Sequence, residues 1–129
     1  MDKITGIVKE GEKRGRILGY PTANIPHNCA LPEGIYISST RVKGREHHSV
    51  TFIGASQTFG ETAIQCETYI LDFSGNLYGK EITVSIIQKI RENKKFKSAD
   101  ALVRQIEKDI YAAKNYFVAQ NAHHILSPK

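Results

Sequence analysis

The chain has 129 residues and a formal net charge of +5 at pH 7, with 40% hydrophobic and 24% charged residues. This length suits one core, so we expect residues 1–129 to form a single domain. There is no run of 18 apolar residues and no apolar core near the N-terminus, which predicts neither a membrane span nor a secretory signal. The positive charge favours anionic partners, but it does not separate a nucleotide from a nucleic acid.

Most of the chain reads as short strands separated by glycine-bearing turns. The predicted strands, in chain order, are residues 3–9, 22–25, 35–40, 49–53, 63–73 and 78–87. Short strands joined by such turns predict a closed antiparallel sheet. We therefore expect a mainly β fold, a small Greek-key β-barrel of roughly six strands.

One α-helix is predicted after the strands. Ser98 is a typical N-cap, and Asp100 suits the first turn of a helix. Apolar residues then recur at helical spacing and form a stripe that would pack on the sheet: Leu102, Ile106, Ile110, Ala113 and Phe117. The pattern is weak in residues 118–129, which we expect to be frayed or loosely packed.

Residues 11–25, GEKRGRILGYPTANI, combine three glycines with three cations. Backbone amides beside glycines, with basic side chains nearby, can cradle a phosphate. Thr22 and Asn24 are two residues apart, so in an extended segment their oxygens point to one side and would suit Mg²⁺ that shares a phosphate. The alternative is a plain hairpin turn with solvated cations, and the stretch is neither a Walker A loop nor a GxGxxG motif.

Glu67 lies in the middle of the longest predicted strand, on the same face as Tyr69. A carboxylate there is either a solvent-facing residue of a one-sided sheet or a group held for chemistry. The two cysteines, Cys29 and Cys66, form no metal pattern and are expected to be reduced thiols. His47 and His48 fall in a charged turn and are expected to be solvated.

The segment GRILGYPTANI resembles the signature of the riboflavin kinase (flavokinase) family, which also supplies the C-terminal module of bifunctional FAD synthetases. Four further segments resemble the family in the same order, so the resemblance covers roughly residues 5–113. They are LPEGIY (31–36), CETYILDF (66–73), LYGKEITV (77–84) and IRENKKF (90–96).

The resemblance implies a Mg²⁺-dependent ATP:riboflavin 5′-phosphotransferase, whose substrates are ATP and riboflavin and whose products are FMN and ADP. It implies that Glu67 is the general base for the ribityl 5′-hydroxyl and that Thr22 and Asn24 hold the metal. The implied flavin-binding residues are Asn24, Glu67, Arg91 and Phe96, the last two in or beneath a flap. The implied ATP-binding residues are Gly11, Lys13, Arg14, Gly15, Arg16, Gly19, Tyr20, Pro21 and Thr22.

Three positions depart from the family's usual pattern. Phe52 stands for Asn, Gln57 for Pro and Lys97 for an acidic residue, so the loop before the Glu67 strand is expected to differ in shape and in flavin affinity. The resemblance implies a cytoplasmic monomer, or a fragment of a bifunctional synthetase, with no membrane or nucleic-acid partner. The alternative is a non-catalytic barrel, such as a degenerate kinase, that binds flavin or nucleic acid.

Overall fold

Six strands and one helix make up the computed structural model, which describes residues 2–9, 22–26, 31–55, 64–73 and 75–126. The elements, in chain order, are β1 Lys3–Ile7, β2 Thr22–Pro26, β3 Gly34–Val42, β4 Arg45–Ala55, β5 Ile64–Ile70, β6 Glu81–Arg91 and α1 Ala99–Leu126. The mainly β fold with a C-terminal helix, predicted from the sequence, is confirmed.

The strands form one antiparallel sheet in the order β1-β6-β3-β4-β5-β2. Its two edge strands approach each other at an isolated bridge, where the Lys9 N–H donates to the Asn24 carbonyl oxygen at 2.7 Å. This bridge, which we call the seam, nearly closes the sheet into the predicted barrel.

The β3–β4 hairpin is tighter than the sequence predicts. Lys43 and Gly44 have φ values of 51° and 81°, as a two-residue type I′ turn requires. Because the turn is so short, β4 begins at Arg45 instead of Ser49. His47 and His48 therefore lie in a strand, where their rings contact those of Phe73 and Phe117.

Residues with a left-handed backbone conformation also shift the end of β5 and the start of β6 from their predicted positions. Asp72 has a φ of 54° and Gly79 a φ of 78°, and neither value fits an extended strand. The β5 strand therefore stops at Ile70, before the predicted end at residue 73. The β6 strand starts at Glu81 instead of residue 78 and continues to Arg91 because its last residues pair with β3.

Apolar side chains pack on both faces of the sheet. The barrel interior contains residues such as Ile25, Ile53 and Ile70, while the outer face packs against the apolar stripe of α1. Of the predicted stripe, Ile106, Ile110 and Ala113 are buried, and Leu102 and Phe117 pack beside them.

The bounds of α1 match the prediction at one end only. Ser98 caps the helix, since its Oγ accepts a hydrogen bond from the Ala101 N–H at 3.1 Å. The helix continues to Leu126, beyond the apolar pattern that predicts fraying after residue 117. Within the described ranges, no helix has both the length and the hydrophobicity needed to cross a bilayer.

Part of the barrel interior is polar. Five buried hydroxyls on β3, β4 and β5 form a continuous chain of hydrogen bonds, here called the hydroxyl ladder: Thr40–Ser49 (2.8 Å), Ser49–Ser38 (2.6 Å), Ser38–Thr51 (2.7 Å) and Thr51–Thr68 (3.0 Å). A hydroxyl can both donate and accept, and each of the five has at least one hydroxyl partner here, so the group can be buried without a large desolvation cost.

Candidate active site

Five residues on five adjacent strands form one line across the sheet, which we call the transverse row. Asn24 lies opposite Glu67, Glu67 opposite Phe52, Phe52 opposite Ile35, and Ile35 opposite Arg91. Directly opposed residues of an antiparallel pair place their side chains on the same face. The row therefore brings together three of the site residues named in the sequence analysis, Asn24, Glu67 and Arg91.

The face on which Asn24 and Glu67 lie follows from strand alternation. Ala23, Ile25 and Cys66 belong to the barrel interior, so Asn24 and Glu67 project from the outer face. Both are nearly inaccessible, with exposures of 5% and 4%. Burying a carboxylate is costly unless other groups compensate it, which makes a plain solvent-facing role for Glu67 untenable.

The other predicted nucleotide and metal residues lie next to this pair in the chain. Thr22 is opposite Tyr69 in the ladder between β2 and β5, two positions from Asn24. This agrees with the predicted extended segment. The predicted ATP-binding residues 11–21 lie outside the described residues.

A cavity of about 860 Å³ adjoins the transverse row. It lies between the outer face of the sheet, the first turns of α1 and the segment 92–98, which we call the strap. Phe52, Ile35 and Arg91 belong both to the row and to the cavity wall. The volume is within the range of about 300–1,000 Å³ that small-molecule sites usually have. The remaining wall from the sheet and helix is largely apolar: Val50, Tyr69, Leu102 and Ile106.

Arg91 is held in place by α1. Its Nε and Nη2 donate to the two carboxylate oxygens of Asp109 at 2.9 and 2.7 Å, and its Nη1 donates to the Glu92 carbonyl at 2.9 Å. The side chains of Arg91 and Asp109 are 14% and 3% exposed, and the guanidinium carbon lies 6.0 Å from the Phe96 ring centroid. Arg91 and Phe96 thus share the cavity wall, and this Arg91 geometry leaves the guanidinium bound to protein groups rather than turned to a phosphate.

Asp109 is the residue of this region that the sequence analysis missed. It lies three residues after Ile106 and four before Ala113, so it shares the buried face of the helix. A carboxylate on an apolar stripe is a signal that the sequence does contain, but its partner on β6 is 18 residues away. Gln105 supports the same carboxylate by donating to Oδ1 at 3.1 Å.

The strap is tied to the sheet and carries positive charge. Asn93 Nδ2 donates to the Ile53 carbonyl at 3.3 Å, and Lys94, Lys95 and Lys97 are exposed. At its start, the Glu92 carboxylate accepts a hydrogen bond from Lys89 Nζ at 2.6 Å and thereby raises the pKa of that lysine.

The donor atoms of Asn24 and Glu67 are oxygens of a carboxamide and a carboxylate, which suit a hard cation such as Mg²⁺. Among the residues that the structure describes, no three His, Cys, Asp or Glu side chains cluster as a metal site.

Comparisons with known proteins place this geometry in context. The family model described as "Flavokinase: Riboflavin kinase" matches residues 2–117. A bifunctional riboflavin kinase/FMN adenylyltransferase of Listeria monocytogenes is 39% identical over 116 residues, which are 87% of this chain and 37% of that protein. An RNA-binding riboflavin kinase of Bacillus subtilis is 38% identical over 112 residues, 85% of this chain and 49% of that protein.

A solved riboflavin kinase from Trypanosoma brucei shares the fold, with a TM-score of 0.62 over 98% of this chain and 90% of that one. Its sequence identity is 20%, so this likeness concerns the fold alone. The chain spans less than half the length of the two curated relatives.

Proposed function

The chain belongs to the riboflavin kinase family, and from this premise we propose that it transfers the γ-phosphoryl group of ATP to the ribityl 5′-hydroxyl of riboflavin, giving FMN and ADP. The observation that carries the proposal is the buried Glu67, which lies directly opposite Asn24 and beside a cavity whose wall from the sheet and helix is mostly apolar. A base, a metal ligand and a ring-binding cavity are the parts that this reaction needs.

Glu67 is the proposed general base. A carboxylate within hydrogen-bond reach of an alcohol can take its proton as the oxygen attacks phosphorus. Glu67 is 4% exposed, so bulk water competes little for this carboxylate. The remaining work of phosphoryl transfer is positioning and charge neutralisation.

Asn24 and Thr22 are the proposed Mg²⁺ ligands, and residues 11–21 the proposed cradle for the ATP phosphates. When bound, Mg²⁺ would neutralise charge on the phosphate oxygens. The chain's own contribution is to hold the Asn24 oxygen beside Glu67 through the β2–β5 ladder.

The cavity is the proposed site of the isoalloxazine ring. Its wall from the sheet and helix is mostly apolar, and a planar ring system gains most from such surfaces. Arg91 and Phe96 close one side, and the Arg91–Asp109 pair keeps that side in place.

The test is to incubate the protein with riboflavin, ATP and Mg²⁺ and to separate FMN by chromatography. Glu67→Gln keeps the shape of the side chain but removes the base, so we expect kcat to fall by about 10²-fold or more while riboflavin still binds. Glu107→Gln, on the exposed side of α1, is the matched control and should retain full activity. FMN formation at the normal rate by Glu67→Gln would remove Glu67 from the mechanism.

A second candidate function is RNA binding, because a relative of 38% identity is named as an RNA-binding kinase. The exposed Lys94, Lys95 and Lys97 could contact phosphates. Binding of this kind would weaken steeply with salt, which anisotropy of a labelled single-stranded RNA at several salt concentrations would measure. Salt-dependent binding without FMN formation would favour this second function.

We further propose a cytoplasmic monomer, since the reaction needs ATP.

A further inference from the structure

We propose that Phe52 is the platform on which the isoalloxazine ring of riboflavin stacks, which makes it a specificity-determining residue of this site. The inference rests on the proposed function and adds to it the position of the ring within the cavity. It is carried by the location of Phe52 in the transverse row, by the direction of its ring and by the glycine beneath that ring.

The location of Phe52 joins the two halves of the site. It lies opposite Glu67 on β5 and opposite Ile35 on β3, and it lines the cavity. The proposed base is therefore one strand away, about 4.8 Å in the direction of the sheet hydrogen bonds. A ring placed over Phe52 would lie on the same face of the sheet as the proposed base for the terminal hydroxyl of its ribityl chain.

The ring of Phe52 extends along its own strand towards Gly54. A Cβ built on Gly54 would lie 2.8 Å from Cζ and 3.0 Å from Cε1 of Phe52. Residues 52 and 54 share one face of β4, so the ring reaches over a position where any other residue would project a side chain. Gly54 thereby allows the aromatic ring to lie close to the sheet.

The chemistry of this arrangement selects planar heteroaromatic ligands. Aromatic rings prefer offset-stacked or edge-to-face contact with other π systems, an attraction beyond the burial of area alone. Ile35 and Val50 beside Phe52 offer apolar contact without that preference. Position 52 is usually Asn in the family, and the sequence analysis expects this departure to alter flavin affinity; the geometry points to a contact made by Phe52 itself.

The experiment measures binding of riboflavin and of lumiflavin, which has the ring but not the ribityl chain, by titration calorimetry. For Phe52→Leu we expect Kd to rise about five- to tenfold for both ligands. Gly54→Ala retains the ring but displaces it, together with the Asn93 amide that lies 3.0 Å from the added Cβ, and it should weaken both ligands in the same direction. Phe73→Leu, which removes a half-buried ring outside the cavity, is the matched control and should bind like the wild type.

The outcomes separate this inference from the proposed function. If the wild type forms FMN and both Phe52→Leu and Gly54→Ala bind lumiflavin as the wild type does, the platform is wrong and the kinase stands. If only riboflavin is weakened, Phe52 acts on the ribityl chain and the ring is elsewhere. If the wild type binds neither flavin, the proposed function fails and the inference fails with it. Thermal unfolding of each variant verifies that it is folded. If Phe52→Leu does not fold, lumiflavin binding by Gly54→Ala tests the inference instead.

Discussion

Arg91 and Asp109 show how one pair of side chains can join a strand to a helix beside a cavity. The bidentate contact joins the end of β6 to the buried face of α1, and both residues line the cavity. Planar guanidinium and carboxylate groups fit each other with defined geometry. The pair therefore fixes the distance between sheet and helix where the cavity opens.

Replacement of Asp109 by Asn should destabilise the protein by about 3 kcal/mol, because it leaves a largely buried guanidinium without its counter-charge. Urea denaturation measures this free energy of unfolding. Glu107→Gln on the exposed side of the same helix should change it by about 0.5 kcal/mol or less. A loss below about 1 kcal/mol for Asp109→Asn would show that the pair contributes little to stability.

The sequence was informative about single residues wherever the signal was local. Glu67 and Asn24 stand out by chemistry and spacing, and the register confirms that they are neighbours. Their catalytic and metal roles stay predictions. Asp109 was not predicted, because its importance depends on a contact between two elements that the sequence does not place side by side.

At the scale of elements, the hydroxyl ladder is what distinguishes the barrel interior from an ordinary apolar core. Its five members come from three adjacent strands and are all buried. Because each of its hydrogen bonds joins residues on neighbouring strands, the ladder favours a single register among β3, β4 and β5.

Thr51 is an inner member of the ladder, bonded to both Ser38 and Thr68. Thr51→Val keeps the shape of the side chain but leaves two buried hydroxyls short of a partner, so we expect a loss of about 1–3 kcal/mol in the free energy of unfolding. Thr5→Val at the exposed Thr5–Thr83 hydroxyl pair is the matched control, and chemical denaturation compares the two. Equal, small effects at both sites would mean that the ladder is not a source of stability.

The strands were predicted in type and order, but their ends were not. The predicted strand 49–53 was too short and the predicted strand 63–73 was too long. Particular residues explain both differences. Lys43 and Gly44 complete a turn in two residues, and Asp72 adopts a left-handed conformation that stops β5. Asp and Lys can each adopt several backbone conformations, and the tertiary structure selects among them.

For the whole molecule, the predicted barrel is correct but only nearly closed, and its closure depends on the contact between β1 and β2. A Cβ on Gly6 of β1 would overlap the side chain of Ile25 on β2. The absence of a side chain at residue 6 therefore lets the two edge strands come together beside the proposed metal ligand, Asn24.

Gly6→Ala should separate β1 from β2 at this point. We expect a loss of about 1–3 kcal/mol in the free energy of unfolding, as for other overpacked sites, together with a lower rate of FMN formation because Ile25 adjoins Asn24. Denaturation and initial rates test the two effects. Lys3→Ala, an exposed position on the same strand, should alter neither, and wild-type stability of Gly6→Ala would show that the edges tolerate separation.

The seam adds a last consequence. The backbone carbonyl of Asn24 accepts the bond that joins the two edges of the barrel, and we assign the carboxamide of the same residue to the metal and its nucleotide. A nucleotide and metal ion bound to this side chain would therefore also stabilise the contact between the two edge strands. Saturation with nucleotide would then raise the stability of the fold. The protein without ligand would be the form most prone to local unfolding at the contact between β1 and β2.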